Sequence, residues 1–251
     1  MLNVTDTQML AWLSSFLLPL FRVLGLMAAA PILSHRSVSM RMRVAIAAAI
    51  TLPLSTWIEL PAGLDIAAPQ GWAMIAREIA IGLLIGFTAR LVFAAFELAG
   101  ELIGLQMGLS FAGFFDPGAG QSNAVGRVLS NLSLLTFLSL NGPVILMVAV
   151  AQSFQTFPVG LGLQGLQRFD LVTMGAELFA TGLSVALPFV ILMLFLNAVL
   201  GVVSRVAPQL NVFAVGFPVT IGAGLALLAT GFPLLEQPLT RSIERLMQLL
   251  G

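Results

Sequence analysis

The sequence predicts an all-α, polytopic membrane protein built from helical hairpins, and three observations support this fold class. The 251-residue chain is 59% hydrophobic and only 9% charged, whereas soluble domains are about 25% charged. Its apolar residues are grouped in stretches long enough to cross a bilayer as helices, which takes about 20 residues. The alternating pattern of a lipid-facing barrel strand does not occur, so helices are the expected spanning structure.

Six hydrophobic stretches and a short amphipathic tail define the expected helices. The stretches cover residues 9–33, 44–60, 71–107, 127–150, 172–204 and 211–235, and the tail covers residues 241–246. The third stretch is far longer than a bilayer requires, and the fifth contains Glu177 and Pro188. Helix interruptions at membrane depth are tolerated where protein or water covers them. We therefore expect other subunits to cover much of the hydrophobic surface.

The first stretch is expected to remain as a membrane helix rather than to act as a cleaved signal peptide. It lacks a basic n-region and is longer than a signal-peptide core of about 7–15 residues. The loop after it carries Arg36, Arg41 and Arg43, whereas the tail before it carries only Asp6. Because short arginine-rich loops stay cytoplasmic, the N-terminus is predicted to be periplasmic. The later loops do not specify the side of the C-terminus.

Composition argues against most catalytic and binding chemistry. The chain has no cysteine and a single histidine, His35, which excludes disulfides, thiolate catalysis and sulfur-ligated metals. No Ser/His/Asp arrangement is available away from His35. The 11 basic and 11 acidic residues form no basic patch, so nucleic acid is not an expected partner. We expect no enzymatic activity, no cofactor and no metal site, and membrane lipid as part of the surroundings.

The segment 77–117 carries glycines at a spacing that suits close helix packing. Residues four apart share a helix face. Glycines on such a face let two helix backbones approach closely, which stabilises helix association in lipid, where the hydrophobic effect does not drive it. The candidate packing residues are Gly82, Gly86, Gly100, Gly104 and Gly108. Generic helix packing is the simplest interpretation of these five positions.

Charged residues in the same segment have more than one interpretation. Arg90, Glu97 and Glu101 are seven and four residues apart, so a continuous helix places them on one face. An ionised group at the centre of a bilayer costs at least a few kcal/mol and therefore faces a partner or water. The stripe is compatible with an ion relay in a transporter, with subunit contacts in a multi-subunit conduit, or with an internal Arg90–Glu97 pair. Further charges with similar alternatives are Arg22, Arg77, Glu78 and Glu177.

A bulky apolar loop follows the third stretch. Glycines and the Asp116-Pro117-Gly118 run favour turns there, yet the loop carries three phenylalanines. Such a loop can seal a pore by excluding water, or it can pack as a re-entrant filler, and the residues alone leave both interpretations open. The candidate residues are Leu109, Phe111, Phe114, Phe115, Asp116 and Pro117.

The junction of the last two hydrophobic stretches predicts a tight helical hairpin. Pro208 ends or kinks the first helix and Asn211 can cap the next, with Gly216 and Pro218 close behind. The pattern indicates packing rather than chemistry.

Three blocks together resemble the FliR family of flagellar biosynthesis proteins, whose injectisome counterparts form the SctT group. They are FRVLGLMAAAPILSHRSVSMRMRVAIA, REIAIGLLIGF with ELAGELIGLQMGLSFAGFFDP, and APQLNVFAVGFPVTIGAGL. The resemblance extends over residues 20–230. The sequence Gly216-Phe217-Pro218 favours the flagellar members of the family over the injectisome members. Thr220 departs from the pattern, because some members carry a basic residue there.

The resemblance implies a subunit present once per type III secretion export gate, in the bacterial inner membrane at the flagellar basal body. Residues 1–170 are expected to resemble FliP and residues 171–251 to resemble FliQ. Several FliP-like and FliQ-like subunits would complete a helical cone around a conduit for unfolded export substrates, with FlhB-like and FlhA-like subunits as further partners. The loop at about 106–123 would act as a plug of the closed conduit. The alternative function is a secondary membrane transporter that uses the Arg/Glu stripe.

Overall fold

The computed structural model describes residues 6–31, 38–58, 69–109, 123–159, 170–207 and 212–250. These residues form helices α1 (Asp6–Ala29), α2 (Met40–Ser55), α3 (Pro69–Gln106), α4 (Ala124–Ser139), α5 (Gly142–Thr156), α6 (Leu171–Val206) and α7 (Val212–Leu250). No strand occurs within the described ranges. The all-α prediction is therefore confirmed.

Three of these helices are long and apolar enough to cross a membrane. They are α3, α6 and the Val215–Arg245 part of α7. The pair α4 and α5 would together provide a fourth span but is bent by 69° at the break between them. The polytopic membrane prediction is confirmed by these lengths and compositions.

The hydrophobic stretch 127–150 is divided between two helices, so the prediction of one helix there is wrong. Asn141 separates them with a left-handed backbone, φ 57°, a conformation that asparagine tolerates better than most residues. Pro143 lies in the first turn of α5. Because proline has no N–H to donate and clashes with the preceding turn, α4 cannot continue through this position as a regular helix.

Helix α7 is longer than the sequence pattern predicts. The stretch 211–235 and the tail 241–246 belong to one helix, which contains Pro218, Pro233 and Pro238. Each proline removes one backbone hydrogen bond, and such losses are tolerated in membrane helices where neighbouring groups satisfy the freed carbonyls. The last hydrophobic stretch and the amphipathic tail are therefore parts of a single helix.

The chain divides into two compact units. The first comprises Met1–Arg90, Asn141–Leu171 and Arg245–Gly251, and in it α1 packs against α2. Its described core is made of apolar side chains from α1, α3 and α5. They include Leu18, Val23, Leu26, Met27, Ile81, Ile85, Leu146, Val150 and Phe154.

Glycines bring the α1 and α3 backbones into contact in the first unit. A Cβ atom on Gly82 would overlap the backbone of Arg22, and one on Gly86 would lie 2.7 Å from the Leu26 carbonyl oxygen. From the other side, a Cβ on Gly25 would lie 2.5 Å from the Ile79 carbonyl oxygen. Real Cβ atoms do not approach a backbone this closely, so the crossing requires glycine at these positions.

The second unit comprises Leu91–Leu140 and Val172–Glu244. It contains the C-terminal part of α3, all of α4 and most of α6 and α7. Phe93 and Phe137 meet edge to face, with ring centroids 5.3 Å apart and an interplanar angle of 79°. Other buried members of this core are Phe96, Ala99, Ile103, Leu129, Val185, Phe189 and Met193.

Candidate functional site

Several of the predicted site residues fall into two local arrangements, one in each unit. The first is centred on Arg22, which lies in α1 and is fully buried. Its Nε donates to Oε2 of Glu78 on α3 at 2.6 Å, and both side chains have no exposed surface. Such an ion pair persists in an apolar interior only when the remaining donors and acceptors are also satisfied.

The other nitrogens of Arg22 bind groups near the end of α5. Nη1 donates to the Ser153 hydroxyl oxygen at 3.0 Å, and Nη2 donates to the Phe157 carbonyl oxygen at 2.8 Å. The guanidinium carbon lies 3.8 Å from the centre of the Phe154 ring, within the range of a cation–π interaction. The planar fork of arginine donors thus connects α1 to both α3 and α5.

Arg77 completes this buried cluster. Its Nη1 lies 3.1 Å from Oε1 of Glu78 and donates to the Pro158 carbonyl oxygen at 3.0 Å. Both arginines therefore reach carbonyl groups at or beyond the end of α5, where a helix carries partial negative charge. Glu78 forms its ion pairs inside the first unit, and the subunit contact considered for it from sequence stays a prediction.

Sequence reasoning identified Arg22 and Glu78 as charges in apolar stretches but did not pair them with each other. The two residues are 56 positions apart, and no local periodicity connects them. Their opposite signs, each within an apolar stretch, are the sequence signal that favours such a pairing. Ser153, Phe154 and Phe157 carried no sequence signal of a role in it.

The three residues of the predicted charged stripe on α3 have different surroundings. Arg90 is exposed and Glu97 is half-buried, and neither forms an ion pair within the ranges that the structure describes. Glu177 on α6 is exposed. Glu101, in contrast, is fully engaged in the second arrangement.

Glu101 and Asn123 form the centre of that second arrangement. Oε1 of Glu101 accepts from the Asn123 backbone N–H at 2.7 Å. Oε2 and the Glu101 backbone carbonyl both accept from Asn123 Nδ2, at 2.9 Å and 3.2 Å. Asn123 was not predicted as a site residue, although its position before Ala124 is typical of a helix N-cap.

Three glycines allow this contact. A Cβ atom on Gly100 would lie 2.5 Å from the Gly126 Cα atom, and one on Gly126 would lie 2.5 Å from Oε1 of Glu101. A Cβ on Gly104 would overlap the Asn123 side chain. The predicted packing glycines Gly100 and Gly104 thus lie where α3 meets the beginning of α4.

The end of α3 is held by side chains of α6 and α7. Asn197 Nδ2 donates to the Gln106 carbonyl oxygen at 3.2 Å, and the buried Thr220 hydroxyl donates to the Met107 carbonyl oxygen at 3.2 Å. Gly108 then has a φ of 81°, a conformation that suits glycine after a helix end.

The remaining predicted residues lie partly outside the described ranges. Leu109 is half-buried, while Phe111, Phe114, Phe115, Asp116 and Pro117 lie outside the described residues. So do Pro208 and Asn211 of the predicted hairpin. Gly216 is buried and Pro218 is exposed, both near the beginning of α7.

Comparison with known proteins identifies the family of this chain. The chain matches the family described as bacterial export proteins, family 1, over residues 13–246. It is 42% identical over 239 residues to the flagellar biosynthetic protein FliR of Escherichia coli K12, which covers 94% of this chain and 90% of that protein.

Two further relatives carry the same name. The FliR protein of Pectobacterium carotovorum is 38% identical over 237 residues, covering 94% of this chain and 90% of that protein. That of Aquifex aeolicus is 31% identical over 225 residues, covering 89% and 87%. The resemblance inferred from three sequence blocks is therefore confirmed over nearly the whole chain.

Proposed function

This chain belongs to family 1 of the bacterial export proteins, and from its similarity to FliR proteins we propose that it is a subunit of the flagellar type III secretion export gate. The observation that carries the proposal is 42% identity to a flagellar biosynthetic protein across 94% of the chain. The proposed location is the bacterial inner membrane at the flagellar basal body. The proposed role includes no catalytic reaction and no cofactor.

The exposed apolar surface of α6 and α7 supports a role inside a larger membrane assembly. Only 22% of the apolar window of α6 and 17% of that of α7 are buried within the chain. Side chains left exposed on α6 include Phe179, Leu183, Ile191, Phe195 and Val202. Lipid and other apolar protein surfaces must cover them, because water does not solvate so much apolar area favourably.

The proposed partners are several copies of FliP-like and FliQ-like subunits, with FlhB-like and FlhA-like subunits at the same gate. Residues 1–170 would take a FliP-like position and residues 171–251 a FliQ-like position in the conduit wall. Unfolded export substrates would pass through the conduit. The N-terminus is proposed to face the periplasm, because the arginines of the first loop favour the cytoplasm.

The proposed mechanism is steric gating by the loop that follows α3. Phenylalanine-rich sequence at 111–115 suits a constriction that excludes water. An arriving substrate chain would displace the loop, and the loop would return once the substrate has passed. No bond is made or broken in this cycle.

Native mass spectrometry of a tagged copy, extracted in a mild detergent, tests the proposed assembly. We expect a hetero-oligomer that contains one copy of this chain and several copies of two other membrane proteins. A chain that remains a monomer or homodimer under mild extraction contradicts the proposal.

Deletion within residues 110–118 tests the gating mechanism. We expect the shortened gate to assemble and to leak ions or small molecules at rest. An assembled gate that stays tight after the deletion would show that the loop does not seal it.

A transporter based on the Arg/Glu stripe is the competing function, and the contacts of Glu101 count against it. Its two carboxylate oxygens already accept hydrogen bonds from the backbone N–H and the side-chain amide of Asn123, so both are engaged in a contact between α3 and α4. The purified single chain in liposomes is expected to take up no substrate. Uptake by that chain alone would favour the transporter.

A further inference from the structure

A cavity of about 410 Å³ lies in the second unit, between α3, α4 and α7. Most of its wall is apolar, and four polar side chains complete it: Thr136, Ser139, Glu236 and Thr240. Cavities of about 300–1,000 Å³ with an apolar wall and a few polar groups are typical of sites for small molecules. The arrangement of the polar groups therefore indicates what kind of molecule fits.

The relative direction of α3 and α4 follows from two contacts. Glu101 binds Asn123, which lies just before α4, whereas Phe93 meets Phe137 near the end of α4. Earlier residues of α3 thus lie beside later residues of α4. The two helices are antiparallel.

Helix α7 is also antiparallel to α3. Thr220, near the beginning of α7, binds the carbonyl of Met107 just past the end of α3. Residues of α7 within 232–240 line the cavity together with Phe96, which lies earlier in α3. Helices α4 and α7 therefore run in the same direction along the cavity.

The lining changes from apolar to polar in this shared direction. The apolar end is formed by side chains that precede the polar ones on each helix, namely Leu129, Leu132, Phe232 and Leu235. The other end is mixed, because leucines at 140 and 239 lie there beside the two threonines, the serine and the glutamate. All four polar groups of the cavity are thus at one end.

This polarity gradient agrees with the expected position of the cavity in a bilayer. The apolar span of α7 is Val215–Arg245, so the apolar end of the cavity lies nearer the middle of the span. The mixed end lies nearer the end of the span, where Arg241 and Glu244 are exposed. A lipid has the same gradient, with its tails towards the centre of the bilayer and its headgroup at the surface.

The polar groups of the mixed end offer hydrogen-bond acceptors. The hydroxyls of Thr136, Ser139 and Thr240 donate to carbonyl oxygens of their own helices, which leaves oxygen lone pairs for another donor. The Glu236 side chain is exposed and forms no ion pair within the described part of the chain. The described lining contains no lysine or arginine. Such a set matches a ligand end that is positively charged and donates hydrogen bonds.

The size of the cavity favours a lipid chain over a helix of a partner protein. A helix with its side chains is about 10 Å wide and rises about 5.4 Å per turn. A volume of 410 Å³ therefore corresponds to about one turn of such a helix. A membrane-spanning partner helix needs contact over several turns, whereas an acyl chain is narrow enough to enter a space of this size.

We propose that this cavity binds one phospholipid whose headgroup carries a primary ammonium group, as in phosphatidylethanolamine. An acyl chain occupies the apolar end, and the ammonium group donates to the Glu236 carboxylate and to the neighbouring hydroxyl oxygens. The cavity is formed by helices of this chain alone, so the inference does not depend on the proposed export function.

Lipid titration of the delipidated full-length protein in a mild detergent tests the proposal. The probes are phosphatidylethanolamine, phosphatidylcholine and phosphatidylglycerol with identical acyl chains, and native mass spectrometry measures the bound fraction of each. We expect one site that prefers the ethanolamine lipid to the choline lipid by about tenfold, which corresponds to about 1.4 kcal/mol, because a quaternary ammonium group has no N–H to donate. The anionic glycerol lipid should bind more weakly still. Equal binding of all three lipids would overturn the proposal.

Glu236→Gln tests the headgroup contact. It is expected to lower the affinity for the ethanolamine lipid about tenfold and to leave the affinity for the choline lipid unchanged. Glu244→Gln, at an exposed carboxylate about two turns later on the same helix, is the matched control and should keep the preference. Equal effects of the two variants would show that headgroup selection is a general property of this helix end, which contradicts a defined site.

Leu132→Trp tests the tail contact, because the larger side chain fills the apolar end of the cavity. It is expected to abolish binding of both the ethanolamine and the choline lipid. Leu135→Trp is the control, since Leu135 is 60% exposed on the same helix and does not line the cavity. Thermal unfolding verifies that both variants fold. Unchanged lipid binding in a folded Leu132→Trp protein overturns the proposal.

Photocross-linking in the native membrane identifies the occupant even if Leu132→Trp does not fold. Phe232 lines the cavity and is 47% exposed, so its replacement by the photoreactive benzoylphenylalanine is conservative. We expect a cross-linked product with the added mass of an ethanolamine phospholipid. Cross-links to another protein without any to lipid would show that a partner subunit covers the cavity, and the lipid site would then be wrong.

Discussion

Arg22 on α1 and Glu78 on α3 form an ion pair of 2.6 Å with both side chains fully buried. The geometry places a positive and a negative charge in an apolar interior, where each alone would cost several kcal/mol. The cost is offset because Ser153 and the Phe157 carbonyl bind the other nitrogens of the guanidinium. One side chain thus connects three helices of the first unit.

Removing one partner of this pair is expected to be far more damaging than removing both. We predict that Glu78→Met lowers the stability of the assembled protein by about 3–5 kcal/mol, because it leaves the buried Arg22 and Arg77 without their shared carboxylate partner. Arg22→Met/Glu78→Met should recover part of that loss, because only Arg77 then lacks a carboxylate, and it keeps its hydrogen bond to the Pro158 carbonyl oxygen. Thermal unfolding of the detergent-extracted complex measures the effect, with the exposed Arg90→Met as control. Equal losses in the single and double variants would contradict the predicted coupling.

Glycine at position 82 is expected to be indispensable for the α1–α3 crossing. A Cβ atom there would overlap the backbone of Arg22, and neither backbone can move without displacing the buried ion pair. We predict that Gly82→Ala reduces the amount of folded protein severalfold. The matched change Gly175→Ala meets no atom within 4 Å and should be neutral or stabilise the helix by up to ~1 kcal/mol.

Membrane-fraction immunoblots after pulse expression compare the two glycine variants directly. Similar levels of both proteins would mean that the α1–α3 crossing adapts to a methyl group. In that case the close approach of the two backbones is not a requirement of the fold.

The Thr220 hydroxyl is expected to stabilise the end of α3. It is buried and donates to the Met107 carbonyl oxygen, which lies just past the last residue of α3. We predict that Thr220→Val lowers stability by about 1–2 kcal/mol, because a buried acceptor loses its donor. Thr230→Val is the matched control, since that exposed hydroxyl bonds only within its own helix. In thermal unfolding, Thr220→Val should melt at a lower temperature than Thr230→Val. Equal melting temperatures would count against a stabilising hydrogen bond from Thr220 to the Met107 carbonyl.

The predicted periplasmic N-terminus can be tested by thiol labelling, because the chain contains no cysteine. In intact spheroplasts, Thr5→Cys is expected to react with a membrane-impermeant maleimide. Ser39→Cys, at the exposed N-cap of α2, should react only after the membrane is permeabilised, since the arginine-rich loop is expected to be cytoplasmic. The reverse labelling pattern would show that the N-terminus is cytoplasmic and the loop periplasmic.

Some features of this protein follow from the sequence alone. Its 59% hydrophobic and 9% charged composition determines a helical membrane protein, because backbone groups in lipid must be paired within the segment. Three sequence blocks were enough to identify the family, and the spacing of Gly82, Gly86, Gly100 and Gly104 predicted close helix packing. These signals are local, or they are properties of the whole composition, so they can be recognised without coordinates.

Other features depend on contacts between distant residues, which only the tertiary structure decides. The partner of Arg22 is 56 residues away and that of Glu101 is 22 residues away, and no periodicity relates either pair. The division of 127–150 into two helices depends on one left-handed residue, Asn141, and α7 continues through Pro218, Pro233 and Pro238. A charged residue in an apolar stretch indicates that a partner is needed. Only the packing of the chain determines which residue that partner is, because Coulomb attraction and hydrogen bonding act across space rather than along the chain.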